Sequence, residues 1–247
     1  MAKQAGMGDN LYVDGIDLSG DVGSLSRIGG GPSPLDVTGI NQSAFDRLGG
    51  LRDGGIDFTA FFNPAEDTGA HVNLSTLPRT DRIVTYCRGT ALGGQGAALI
   101  GKQINYDPTR GADGSLTIGV QAVANGFGLE WGNQLTAGID TLTEADDGTG
   151  VDFGVETDLG LQAYLHVFAF TGTSATVTIE DSDDDGTDPY AAVTGAAFTA
   201  ASAIGAQRIQ TARDENVKQW LRVAVTGTFS DLDFAVLVVR NLTATVF

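Results

Sequence analysis

The chain has 247 residues, 42% of them hydrophobic and only 18% charged, with 31 Asp and Glu against 14 Lys and Arg for a formal net charge of −17. That length is enough to bury a sizeable core, the apolar content excludes a disordered acidic tail, and the acidity disfavours binding to a phosphate backbone. A single cysteine leaves no intrachain disulfide or cysteine-based zinc cluster, and two histidines leave no three-histidine zinc site.

Short runs of β-branched and aromatic residues, punctuated by Gly, Asp and Asn, predict an all-β chain. The opening Met1-Ala2-Lys3-Gln4-Ala5-Gly6 lacks a signal peptide's apolar region, so Sec export is not expected. No apolar run reaches the about 18 residues that a membrane span needs, so no membrane partner is expected. Strands are expected at 11–13, 55–62, 82–88, 97–106, 115–123 and 130–142. A short helix is expected at 41–48, capped by Asn41 or Ser43 and stopped by Gly49. A second is expected at 67–77, ended by Pro78. The turn-rich stretch 107–114 predicts a hairpin between two long strands, the second of which alternates apolar and polar residues. Residues 144–150 are short, polar and turn-forming, which predicts a domain boundary. Further strands are expected at 162–169, 175–179, 206–210, 220–225 and 234–239, with a turn at 171–173 between the first two. The expected division is an N-terminal extension (1–8), a first β domain (9–145), a linker (146–150) and a second β-sandwich (151–247).

Candidate chemistry is sparse. Gly96-Ala-Ala-Leu-Ile-Gly101-Lys102-Gln103 approaches a phosphate-binding loop but has Gln where magnesium needs Ser or Thr, and a strand follows where a helix should. Asp181, Asp183 and Asp185 copy the first half of a calcium loop, yet the position for its bidentate acid is Ala192. They stay weak metal candidates, with a solvated hairpin tip as the alternative. His71 and His166 read as packing or surface histidines, and no nucleophile elbow accompanies them. Cys87 reads as a core or strand-face thiol. Phe61, Phe62, Phe127, Trp131 and Trp220 suit either sugar stacking or core filling. The acceptor patterns at Asn41, Asn73 and Asn241 mean little without export. No catalytic residue and no cofactor are expected.

One stretch is more specific than its chemistry. Pro34-Leu-Asp36-Val37-Thr38-Gly39-Ile40 is followed by Ala44-Phe-Asp-Arg47-Leu48-Gly49-Gly50-Leu51-Arg52-Asp53-Gly54-Gly55-Ile56-Asp57-Phe58. This resembles the major tail (tail tube) proteins of long-tailed bacteriophages, siphophage type: a "VT" strand, a short polar or helical segment, a Gly-Leu-x-Asp-Gly turn, then a strand with spaced Ile and Phe. The opening 10–19 and the hairpin at 97–123 are similar too, so the match spans about 9–145. Gly49-Gly50 and Gly54-Gly55 would allow tight turns around Leu51-Arg52-Asp53.

The resemblance implies a tail-tube-type β-sandwich or barrel with one or two short helices, and 151–247 as an added outer β-sandwich. It further implies hexameric rings that stack into a tube, with double-stranded DNA as transient cargo in the lumen. Tape measure, tail tip and tail terminator proteins would be the partners, and the virion tail the location, after assembly in the bacterial cytoplasm. A segment between early strands, 36–51 or 63–80, would reach the adjacent ring. Six copies at −17 would carry −102 formal charges, which would repel DNA from an acidic wall. Three alternatives stay open: a capsid decoration or head-to-tail protein, a calcium-dependent glycan-binding sandwich, or a hydrolase with unrecognised acids.

Overall fold

A computed structural model describes residues 6–244, so residues 1–5 of the expected N-terminal extension lie outside the described residues. In chain order the strands are β1 (Asn10–Val13), β2 (Ile16–Asp17), β3 (Val22–Asp36) and β4 (Arg47–Phe61). After the helix α1 (Ala70–Leu74) come β5 (Arg82–Cys87), β6 (Gln95–Gln103), β7 (Asp107–Arg110), β8 (Leu116–Ala124), β9 (Glu130–Gln134), β10 (Asp140–Leu142), β11 (Asp146–Asp147) and β12 (Val151–Asp152). The last four are β13 (Leu161–Ser182), β14 (Ala191–Ala197), β15 (Gly205–Gln210) and β16 (Trp220–Arg240). The fold is all-β, as expected. Among the described residues α1 is the only helix, and no helix is long and apolar enough to cross a membrane.

The chain forms two compact units, each discontinuous in sequence. The first takes in residues up to Gly20, Thr85–Ala98 and everything from Glu130 onward; the second is Asp21–Val84 with Leu99–Leu129. The expected linker at 146–150 lies inside the first unit, where Asp146 and Asp147 pair with Val225 and Ala224.

The first unit is organised by a long antiparallel ribbon. β13 and β16 pair from Leu161↔Arg240 to Ser182↔Trp220. The sequence predicted four short strands and a turn at 171–173; instead each partner runs straight through. The correction has a physical cause: bulges between Val167/Ala169, Thr171/Gly172 and Gly172/Ser174 absorb the turn-forming residues without ending the ladder. At this waist only glycine fits. A Cβ on Gly227 (φ +136) would lie 2.2 Å from the Ser174 carbonyl oxygen. Either side of the waist, Leu161, Ala163, Leu165 and Val167, then Ala175, Val177 and Ile179, bury one face against Leu221, Val223, Val225, Phe234, Val236 and Val238. Strand order here is β14-β13-β16-β9-β6-β5-β1-β2, to which β6 and β5 contribute residues 95–98 and 85–87 of this unit, with β10, β11 and β12 also on β16 and β15 on β13.

His166 sits fully buried in this unit. Its Nδ1 accepts the Gly15 N–H (3.1 Å), so its proton is on Nε2, 2.8 Å from Thr85 Oγ1. Phe168 stacks on it, and burial lowers its pKa to about 3. It is a neutral packing group.

In the second unit β8 lies beside β4, from Gly55↔Val123 to Phe61↔Thr117. Alternate residues Ile56, Phe58 and Ala60 share a buried face with Ala122, Val120 and Ile118. The expected hairpin is altered: half of the predicted loop, 107–110, is strand β7, which folds back on the start of β8, while the two long strands it was expected to join, β6 and β8, pair only from Gly101↔Ala124 to Gln103↔Ala122. Helix α1 is shorter than the predicted 67–77. Its entry is held by Asp21, whose carboxylate accepts from the Ala70 N–H (2.9 Å) and from Asn63 Nδ2.

Candidate functional site

The feature of the second unit with the clearest capacity to act is the far end of the β3–β4 hairpin. β4 leaves β8 at Gly55↔Val123, but its ladder with β3 continues through Gly30↔Gly54, Pro32↔Arg52, Pro34↔Gly49 and Leu35↔Leu48 to Asp36↔Arg47. Six residues of β3 beyond Gly30 make a two-stranded arm of about 20 Å, at about 3.3 Å per residue. The predicted helix at 41–48 does not form, because a lone eight-residue helix with nothing to pack on does not repay its nucleation. The segment is instead the arm's turn. Val37 N–H donates to the Asp46 carbonyl (3.0 Å), Asp46 N–H to Thr38 Oγ1 (2.9 Å), and Thr38 N–H to Asp36 Oδ1 (2.9 Å). The Thr38 contacts hold the Asp36 carboxyl below the usual range. The expected turns around Leu51-Arg52-Asp53 are likewise absent. Gly49, Gly50, Gly54 and Gly55 all lie inside β4, and none has a positive φ.

The arm's surface is unusual for a free hairpin. Leu35, Val37, Ile40, Phe45, Leu48 and Leu51 are all exposed, Leu51 at 87% and Ile40 fully. The Arg47 guanidinium covers the Phe45 ring at 4.4 Å. Residues 22–61 carry three Arg and four Asp, a net −1 in a chain of −17. An isolated two-stranded hairpin is at best marginal in water, and clustered exposed apolar side chains mark interaction surfaces. Sequence reasoning missed β3 altogether. Gly29-Gly30-Gly31-Pro32-Ser33-Pro34 carries no alternation, and its only signal is that Pro is tolerated on an edge strand.

The other candidates are placed elsewhere. The phosphate-loop look-alike is strand β6, with Lys102 ion-paired to Asp81 (2.8 Å). The acidic run is divided among different partners. Asp181 accepts the Lys218 N–H (2.9 Å), Asp183 and Asp188 both pair with the Lys218 ammonium, and Asp185 accepts from the Tyr190 hydroxyl (2.8 Å). Among the described residues no three His, Cys, Asp or Glu side chains come together in a way that could hold a metal ion. His71 bonds through Nδ1 to the Tyr106 hydroxyl (2.6 Å) and packs on Phe62. Cys87 is buried, and burial pushes its thiol up to about 12. Phe61 and Trp131 stand half exposed on β4 and β9, while Trp220 is partly buried at the start of β16. A cavity of about 190 Å³ has Asp140, Asp146 and Asp147 above Leu142, Val223 and Phe234, and Asp147 is engaged by Arg222 (2.8 Å).

Comparison with known proteins finds no matching family model and no matching curated protein. Among solved structures the chain is similar to the SPP1 Dit (gp 19.1) protein, described as a paradigm of the hub adsorption apparatus in phages that infect Gram-positive bacteria. Identity is 12%, over 95% of this chain and 99% of that one, with a TM-score of 0.33.

Proposed function

We propose that this chain is a structural protein of a bacteriophage tail. It self-assembles through the β-arm into stacked rings, six-fold by the family resemblance, that form a tube for DNA. The observation that carries the reading is the arm: an apolar, nearly neutral projection on a strongly acidic chain. Copies at −17 repel one another, so a nearly neutral segment with clustered exposed apolar side chains is where a second copy is well tolerated. Its residues lie in the most specific stretch of the resemblance to tail tube proteins, 34–58, and of the two segments proposed to reach an adjacent ring, 36–51 contains its tip. The acidic remainder suits a conduit wall that DNA slides past without sticking. A tape measure, a tail tip complex and a terminator would set the ends and length, and the assembled tail would be its place in the virion.

Negative-stain electron microscopy over a concentration series tests this. Rings or hollow tubes from the full chain, and only dispersed particles from a chain with 36–46 replaced by a short Asn-Gly turn, are expected. Dispersed particles from the full chain at every concentration, with or without a tail tip complex as nucleus, would sink the proposal.

A further inference from the structure

Where the arm leaves the sheet, two consecutive cross-strand pairs are glycine on glycine: Gly29↔Gly55 and Gly30↔Gly54. This is also where β8 stops supporting β4. Cross-strand side-chain pairs are what stiffen a sheet laterally, and here there are none. Both flanks are firmer. Inward lies the Ile28↔Ile56 pair, with Ile56 fully buried; outward, Pro32 and Pro34 fix the β3 backbone. The seam is therefore a soft line between two stiffer pieces. One element bears on it. A Cβ on Gly54 would lie 2.5 Å from the Leu129 nitrogen and 2.7 Å from its Cβ, and one on Gly128 would lie 3.3 Å from Arg52 Cβ. Residues 125–129 thus seat directly against the base of the arm.

We propose that the arm pivots as a unit about this glycine seam, and that residues 125–129 are the stop that sets its present angle. The pivot lets a preformed apolar tip search for its docking surface without unfolding. That last step rests on the self-assembly reading above; the pivot itself does not.

The experiment uses the full chain, dilute and monomeric, with spin labels at Ser43→Cys on the arm's turn and Thr109→Cys on β7, both exposed. Cys87, buried, stays unlabelled. Pulsed electron paramagnetic resonance then reads the distance distribution. The parent should give a broad distribution. Gly29→Val, whose Cβ has open space, should narrow it by restricting the β3 backbone at the seam to the extended region that a β-branched residue prefers. Leu129→Ala, which trims the stop, and Gly54→Ala, which collides with it, should shift the mean distance. A narrow parent distribution, or a broad one that Gly29→Val leaves unchanged, overturns the pivot at this seam, and a mean unmoved by both stop variants overturns the stop. Thermal melts confirm that each variant folds, and Leu129→Ala serves if Gly54→Ala does not. If the chain never assembles, the self-assembly reading falls while the pivot stands or falls on these distances. If it assembles, a light-scattering time course reads the rate, and a rate unchanged by Gly29→Val overturns the role of the pivot in docking.

Discussion

Ile40→Ala and Leu51→Ala probe the arm where the arithmetic is simplest. Each side chain is exposed in the single chain, Ile40 fully and Leu51 at 87%. Neither contributes to the folded core, so each substitution should change unfolding free energy by no more than about 0.5 kcal/mol. In an assembly that buries them, each truncation removes three carbons at about 0.8 kcal/mol apiece, and about 2 kcal/mol remains for each after allowing for incomplete burial. At about 1.4 kcal/mol per tenfold, that raises the critical concentration for assembly about 30-fold for each single variant and towards 10³-fold for the pair. Pelleting across a dilution series gives the critical concentration, and circular dichroism melts give the stability. A shift smaller than about threefold in the double variant, with an unchanged melt, would refute the assignment of the arm tip to the assembly contact.

Three further outcomes follow from the packing. His166 is held neutral with a pKa of about 3, below its unfolded value of about 6.5. Its contribution to stability is therefore complete above pH 6.5. It is lost as the pH falls from there towards 3, at about 1.4 kcal/mol per pH unit, because only the unfolded chain takes up the proton. Denaturant titrations at pH 7, 6 and 5 should show a shallower acid dependence in His166→Gln, and an identical slope would contradict the neutral assignment. Arg208 pairs with Glu130 at 2.8 Å with both side chains buried, and Tyr164 donates to the same carboxylate. Arg208→Ala should cost about 3–5 kcal/mol, whereas Arg208→Met with Glu130→Leu should recover most of it. Gly227→Val should lower stability by about 2–4 kcal/mol through the clash at the ribbon waist, while Gly205→Ala, with open space around it, should be near neutral in the same thermal melts.

The sequence by itself determined the class of fold and much of its local detail. Apolar alternation at 115–123 marked β8 as a half-buried strand, because a strand's side chains alternate whatever it pairs with. The turn residues at 107–114 marked where the chain reverses, although 107–110 of them became strand β7. The resemblance in 34–58 drew attention to the segment that became the arm. The tertiary structure decided what local preference could not. Turn-forming residues at 171–173 were overridden by a ladder of about twenty paired positions, since a local turn preference is small beside cross-strand pairing summed over a ribbon. Gly29–Pro34 carried no strand signal, yet pairs with β4 because backbone hydrogen bonds need no side chain. The aspartates at 181–185 looked like one cluster, until Lys218 and Tyr190, 30 or more and 5 residues away in sequence, took them separately. The two units are interleaved along the chain, because antiparallel pairing joins segments more than 100 residues apart, as in Leu237↔Gln134, and no composition shift records that.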